Sequence, residues 1–396
     1  MQWAPQQDQA LKAIDDWMKD SDQQVFRLFG YAGTGKTTLA KHIAENVNGL
    51  VEFAAYTGKA ADVLRNKGCH GAQTIHKLIY IPEGSSYPPE YYELSDEFQI
   101  LASKLDADER DSKRMTQINI RLTELEKEKK LKFQINEESV AQHAKLVIID
   151  ECSMVGEDIG KDLLEIADKV LVLGDPAQLP PVKSGGFFTN HEPDFMLTDI
   201  HRQAKESPII ELATKVRNKE ILQIGTYGNC SVLGPGERYT DIALEADQII
   251  CGTHKMRHAS NKKIREYRGY DSEIPVATEK VICLYNDYDK GFFNGQIWTL
   301  EEDAVRHGLR VKAKAKCDGD GQKTELAMGT PKDTPFGYEV ASDFDYSYCL
   351  TCHKSQGSQW DHVMVIDESK VFRQDAWRWL YTAITRAAER VDIIQK

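Results

Sequence analysis

Gly30-Tyr31-Ala32-Gly33-Thr34-Gly35-Lys36-Thr37 spells G-x-x-x-x-G-K-[ST], a loop that cradles phosphate. Its surroundings are those the motif requires. Gln23–Gly30 (QQVFRLFG) ahead of it reads as a buried strand, and Thr37–Asn48 behind it as a helix with Leu39, Ile43 and Val47 on one face. The glycines let backbone N–H groups wrap phosphate oxygens, and the helix N-terminus adds the positive end of its dipole. The candidate nucleotide contacts are therefore Gly30, Ala32, Gly33, Thr34, Gly35, Lys36, Thr37 and Thr38. Lys36 would reach the β and γ phosphates of ATP, and Thr37 would ligate Mg²⁺.

Such a loop needs a second strand that ends in acids, and Val147-Ile-Ile-Asp150-Glu151 supplies it. Asp150 would hold Mg²⁺ through water, and Glu151 would polarise the attacking water as general base. Further out, Leu50–Tyr56 reads as a strand, Gly58–Lys67 as a helix and Lys169–Asp175 as another apolar run ending in an acid. Continuous apolar strands alternating with helices point to a parallel sheet covered on both faces. The second half repeats the pattern: strands at Ala246–Gly252, His362–Asp367 and Arg390–Ile394, and a helix over Gln374–Glu389.

Two stretches break the alternation. Ile79–His143 opens with turn residues (PEGSSYPPEYYE) and becomes charged and helix-prone, so it reads as an insertion: a helical hairpin, an arm, or a plain exposed helix. Between Phe292 and Ser347 short alternating runs and turn residues indicate a small, barrel-like β insertion. The expected organisation is a first α/β domain over 1–78 and 144–193, an insertion over 79–143, a second α/β domain over 194–291 and 347–396, and the β insertion over 292–346.

A chain of 396 residues exceeds the ~250–300 at which one core stops growing, in agreement with two domains. No run of about 18 apolar residues suits a membrane span, and the acidic N-terminal segment does not read as a signal peptide. Eight scattered cysteines suit reduced thiols and a cytoplasmic location rather than a disulfide frame. Cys349-Leu-Thr-Cys352-His353 matches the haem-attachment pattern, but that chemistry needs an exported chain. The net charge of −12 speaks against broad electrostatic binding of nucleic acid, though not against a local track. His254–Arg268 carries six Lys or Arg against one Glu, and Val311–Lys316 (VKAKAK) alternates lysine with small residues. Each is a candidate track, although taken alone each reads first as a solvated face.

Leu173-Gly-Asp175-Pro-Ala-Gln178-Leu-Pro-Pro181, taken with Asp150-Glu-Cys-Ser-Met154, resembles motifs III and II of superfamily 1 helicases, and others follow in order. Gln7 resembles the glutamine that reads adenine. Tyr56–Ala61 (YTGKAA) is similar to motif Ia, Thr74-Ile-His76 to Ib, Leu197–Gln203 with Arg202 to IV, Thr351–Gly357 to V, and Tyr381–Ala387 with Arg386 to VI. The spelling of III and V is nearest the RecD and Dda branch, superfamily 1B, of phage or bacterial type.

That resemblance implies two tandem RecA-like domains with ATP and Mg²⁺ in the cleft between them. It implies arginine fingers at Arg202 and Arg386, a γ-phosphate sensor at Gln178, and further nucleotide contacts at Gln356 and Gly357. It implies strand contacts at Thr57, Lys59, Thr74, His76, Lys255, Asn294, Thr351, His353 and Ser355, with Tyr56, Phe187, Phe188 and Trp360 as aromatics near the track. The expected activity is ATP-driven 5′-to-3′ movement of a monomer on single-stranded DNA, with unwinding at duplex junctions. A single-strand-binding or replication protein is the candidate partner. An RNA helicase or remodeller of the same superfamily, and a nucleotide-gated strand clamp without turnover, are the alternatives. Intact Lys36, Glu151, Arg202 and Arg386 argue against the clamp.

Overall fold

The computed structural model describes residues 3–396 except 21, 87, 103–108, 126–129, 181–185, 201–205, 273, 285–291, 293, 308–309, 319–320 and 330–343. The chain forms two compact units, His76–Ser139 and the remainder.

In the larger unit α1 (Pro5–Asp20), β1 (Val25–Gly30), α2 (Lys36–Asn46), β2 (Val51–Ala55), α3 (Gly58–Asn66), β3 (Gln73–Thr74) and α4 (Ile75–Ile79, which runs on into the smaller unit) open the chain. The smaller unit follows with β4 (Tyr80–Ser86), α5 (Pro89–Ala102), α6 (Glu109–Leu125) and β5 (Lys130–Ile135). The chain then gives β6 (Leu146–Asp150), α7 (Glu157–Ile166), β7 (Val170–Gly174) and β8 (Phe195–Leu197). Strands β3-β2-β6-β7-β1-β8 make one sheet, with every pairing parallel. Ala10, Ile14 and Trp17 of α1 and Leu39, Ala40 and Ile43 of α2 pack on it as single apolar faces.

The second lobe contains α8 (Pro208–Arg217), β9 (Gly225–Tyr227), β10 (Cys230–Leu233), α9 (Thr240–Glu245), β11 (Gln248–Cys251) and α10 (His254–Tyr267). The β module comprises β12 (Lys280–Cys283), β13 (Ile297–Leu300), β14 (Val305–His307), β15 (Arg310–Cys317), β16 (Lys323–Gly329) and β17 (Phe344–Tyr346). The lobe closes with β18 (Cys349–Thr351), α11 (Cys352–Ser355), β19 (Trp360–Ile366), α12 (Ala376–Ile384) and β20 (Ala387–Ile394). Its sheet runs β18-β11-β19-β20-β10-β9, parallel except for the edge strand β9. The two parallel sheets, each covered by helices, are the expected α/β architecture.

Three local readings differ from expectation. The helix over Gln374–Glu389 ends at Ile384, because Trp360 N bonds to Arg386 O (3.0 Å) and Ala387 pairs with Trp360. The ladder overrides the helix preference of Ala387 and Ala388. In the smaller unit, residues read as turns form β4, paired antiparallel with β5 and shifted in register between Pro82 and Gly84. Its helices α5 and α6 are joined by two-pronged ion pairs, Arg114–Glu97 and Arg121–Glu90, with contacts of 2.7 and 2.8 Å. The lysine run of β15 is no basic track: Val311, Ala313 and Ala315 fill the module's core, while Lys312 pairs with Glu325 and Lys314 with Glu302.

Helix α10 also divides its charges. Lys255, Lys262 and Lys263 face outward, whereas Arg257 and Arg265 are buried against the β module. Arg257 pairs with Asp345 at 2.7 Å. Arg265 grips Glu279 through Nε (2.8 Å) and Nη2 (3.1 Å), and Glu279 also accepts from Tyr348 Oη and Val276 N. Glu279 is wholly buried. Breaking one side of such a pair strands the other charge, so Glu279→Ala is expected to cost about 3–5 kcal/mol. Denaturant unfolding measures this; a midpoint shift worth under about 1 kcal/mol would contradict the assignment.

Candidate nucleotide-binding site

The loop after β1 turns into α2 through Gly33 (φ 78°) and Gly35 (φ 83°). Gly35 must be glycine twice over, since its φ is left-handed and a Cβ there would stand 2.8 Å from Gln7 Nε2. Gln7 is buried against the loop, donating to Thr34 O at 3.1 Å. Lys36 Nζ donates to Gly30 O (2.6 Å) and Tyr31 O (3.1 Å), and Thr37 Oγ1 donates to Asp150 Oδ2 (3.2 Å).

These groups open onto a cavity of about 300 Å³. Ala32, Gly33, Gly35, Lys36, Thr37, Thr38, Asp150, Glu151, Asp175 and Gln178 line it from the first lobe, and Gly357, Ser358, Thr385 and Arg386 from the second. Glu151 holds left-handed backbone angles (φ 53°, ψ 43°), which cost a non-glycine residue about 1–3 kcal/mol. Its N–H is tied to Asp150 Oδ1 at 2.8 Å, so two adjacent carboxylates are kept on separate tasks. Burial, then the neighbouring Glu151 charge, pushes the Asp150 carboxyl above its ordinary range. Arg386 Nη1 lies 3.7 Å from Glu151 Oε1. The Gln178 amide sits between them, its nitrogen 3.1 Å from Glu151 Oε2 and its oxygen 3.3 Å from Arg386 Nη2. Arg386 is buried, with Nε on Thr382 O (3.1 Å). Thr37 and Asp150 present two hard oxygens side by side, a donor set that fits a cation taking its remaining ligands from phosphate and water.

Lys36, Thr37, Asp150, Glu151, Gln178 and Arg386 therefore meet in one cleft. Arg202 lies outside the described residues. Gln356 donates to Leu179 O (2.7 Å) and so joins the lobes, and Gly357 abuts motif Ia. A Cβ on Gly357 would stand 2.8 Å from Thr57 Oγ1 and 3.0 Å from Ala60 Cβ, at φ 74°. Gly357→Ala is expected to cost about 1–3 kcal/mol of stability, read as the denaturant midpoint; an unchanged midpoint would show the approach to be slack.

The strand-track candidates are more dispersed. Thr57 caps α3, its Oγ1 accepting from Ala60 N (3.1 Å), and Lys59 follows on the first turn. Thr74 ends β3. His76 belongs to the smaller unit, ringed by Tyr80 and Phe133, and burial lowers its basicity. Lys255 is exposed on α10. Asn294 is exposed and accepts from Lys354 Nζ. His353 packs on Phe372, its basicity lowered by burial and then by His254. Thr351 is buried, and Ser355 is wholly buried with its hydroxyl on Cys352 O (2.7 Å), so it presents no surface to a strand. Phe188 is wholly buried, and Phe187 packs against Gly160.

Tyr381, Thr382 and Asp175 are functional candidates that lie within the motif stretches but to which sequence reading gave no role. Tyr381 was visible as a bulky helix residue and as the first residue of the stretch similar to motif VI, but the buried partners that distinguish it come from the other lobe.

Residues 2–233 match the family model described as an AAA domain, and 346–394 match the UvrD-like helicase C-terminal domain. The chain is 26% identical to the ATP-dependent RecD2 DNA helicase of Deinococcus radiodurans over 392 residues, covering 92% of this chain and 46% of that protein. It is 24% identical to the RecBCD enzyme subunit RecD of Mycolicibacterium smegmatis, covering 93% and 67%. The chain thus spans about half the length of the RecD2 protein. Among solved structures it resembles Pif1 helicases at forked double-stranded DNA (TM-score 0.52, 20% identity, 99% and 92% covered). A Bacteroides Pif1 bound to single-stranded DNA gives TM-score 0.51 at 18% identity, with the same coverage.

Proposed function

The chain belongs to the family described as an AAA domain, and we propose that it is a RecD/Pif1-like helicase of superfamily 1B that hydrolyses ATP to move 5′-to-3′ along single-stranded DNA and open duplex junctions. The observation that carries this reading is the meeting of Glu151, Gln178 and Arg386 across the cleft between the lobes. A base from one lobe and a permanent cation from the other can act together only when the lobes are closed. Turnover is then tied to a change in lobe separation, the differential binding that a motor needs.

Lys36 neutralises the β and γ phosphates, the loop's amides hold them, and Thr37 with Asp150 holds Mg²⁺, which when bound offsets charge on the phosphates. Glu151 takes the proton of the attacking water. Arg386 leaves Glu151 for the phosphoryl group as its equatorial oxygens gain charge, and Gln178, in reach of both, registers the exchange. Half-buried Lys59 and exposed Lys255, at the starts of α3 and α10, suit phosphates of a strand laid across both lobes.

The test is steady-state ATP hydrolysis with no nucleic acid, with single-stranded DNA and with RNA, followed by unwinding of forked DNA with a 5′ tail. Stimulation by DNA together with unwinding is the expected result. Stimulation by RNA alone would move the substrate to RNA, and hydrolysis indifferent to both would overturn the motor reading.

A further inference from the structure

We propose that Tyr381 is a positioning residue of the ATPase cycle, a clasp by which the second lobe holds the phosphate loop and the loop after β7 in a single register. The proposal deepens the ATPase reading and rests on it. The Tyr381 side chain is buried. Its Oη accepts from Ala32 N at 2.9 Å and donates to Asp175 Oδ2 at 2.7 Å. Asp175 is itself buried, and its other oxygen accepts from Ala177 N at 2.9 Å. Neighbouring contacts follow the same path. Thr382 Oγ1 accepts from Leu179 N at 2.8 Å, and the Arg217 guanidinium lies 3.8 Å over the ring of Tyr31.

A phenol that merely filled this core would do as well without its hydroxyl. Here both the proton and a lone pair are engaged, and both partners belong to the first lobe on the wall of the nucleotide cavity. Unpairing them inside the protein is costly, because a buried carboxylate loses a donor and a loop amide loses its acceptor. Arg386 follows two residues past the end of the same helix, between α12 and β20. Docking of α12 therefore sets the phosphate loop and delivers the arginine in one movement, and separation releases both.

Tyr381→Phe in the full chain removes the hydroxyl and keeps the ring. Hydrogen exchange of the 30–36 segment is expected to accelerate about tenfold, the loss of one internal hydrogen bond, while the β11 and β19 segments keep wild-type rates. The kcat for ATP falls about tenfold, and the affinity for a non-hydrolysable ATP analogue stays within about twofold. Unchanged exchange, or faster exchange with unchanged kcat, overturns the proposal. If the variant melts globally, Asp175→Asn weakens the same link without removing the phenol, and wild-type exchange in that variant overturns it. A wild-type chain that hydrolyses no ATP defeats the functional reading, and the exchange comparison still decides whether the clasp exists.

Discussion

Glu151→Gln is expected to lower ATP turnover by about 10²–10⁴-fold, the usual contribution of a positioned base, while leaving nucleotide affinity close to wild type. The amide is isosteric and can face Gln178 and Arg386, so the lobes still meet, but it cannot accept the water's proton. Among the described residues of the cleft, Glu151 has the geometry for this role. Asp150, beside it, is engaged by Thr37 Oγ1 and by the Glu151 N–H. The left-handed backbone at Glu151 aims its carboxylate at the second lobe instead. Single-turnover hydrolysis with DNA present checks the prediction. A loss smaller than about tenfold would assign the base elsewhere. The variant should also hold DNA tightly with ATP bound, since the closed state forms and cannot discharge.

What could be read from the chain depended on how local the cause was. Gly33, Gly35, Lys36, Thr37 and Asp150 were legible because phosphate and cation chemistry tolerate few residue types at those spacings. Strands such as Leu146–Asp150 and Val170–Gly174 were legible because burial on both faces leaves a continuous apolar run. The β4–β5 ribbon was not, since Pro82–Ser86 reads as turns until the strand Tyr80–Ser86 meets Lys130–Ile135 from the far side of two helices. The end of α12 was missed for the same reason: Ala387 and Ala388 favour helix locally, and only pairing with β19 makes them strand. Lysines behaved likewise. Lys312 and Lys314 looked like a track until Glu325 and Glu302 appeared opposite, and Arg257 and Arg265 turned inward to carboxylates far along the sequence. Ser355 carried a motif position, yet its hydroxyl closes the short α11. Motif spelling locates a segment; which of its side chains face a ligand depends on packing from elsewhere.

Arg386→Ala is expected to reduce kcat by about 10³-fold or more, in the range found for arginines that reach a transferring phosphoryl group. Arg386 is buried, and its guanidinium is oriented by Thr382 O and set 3.7 Å from Glu151. The charge is thus pre-aimed at the cavity and needs little reorganisation when phosphate replaces the carboxylate. Arg386→Lys should recover little, because an ammonium can hold neither the Thr382 carbonyl nor two phosphate oxygens at once. The double variant Glu151→Gln, Arg386→Ala separates this role from a structural one. Base and finger act in the same closed state, so once either is gone the other has little left to stabilise. Turnover of the double variant should sit near that of the worse single variant. Losses that simply multiply would mean that the two residues act in different steps, and that the 3.7 Å approach across the cleft is a resting contact with no part in hydrolysis.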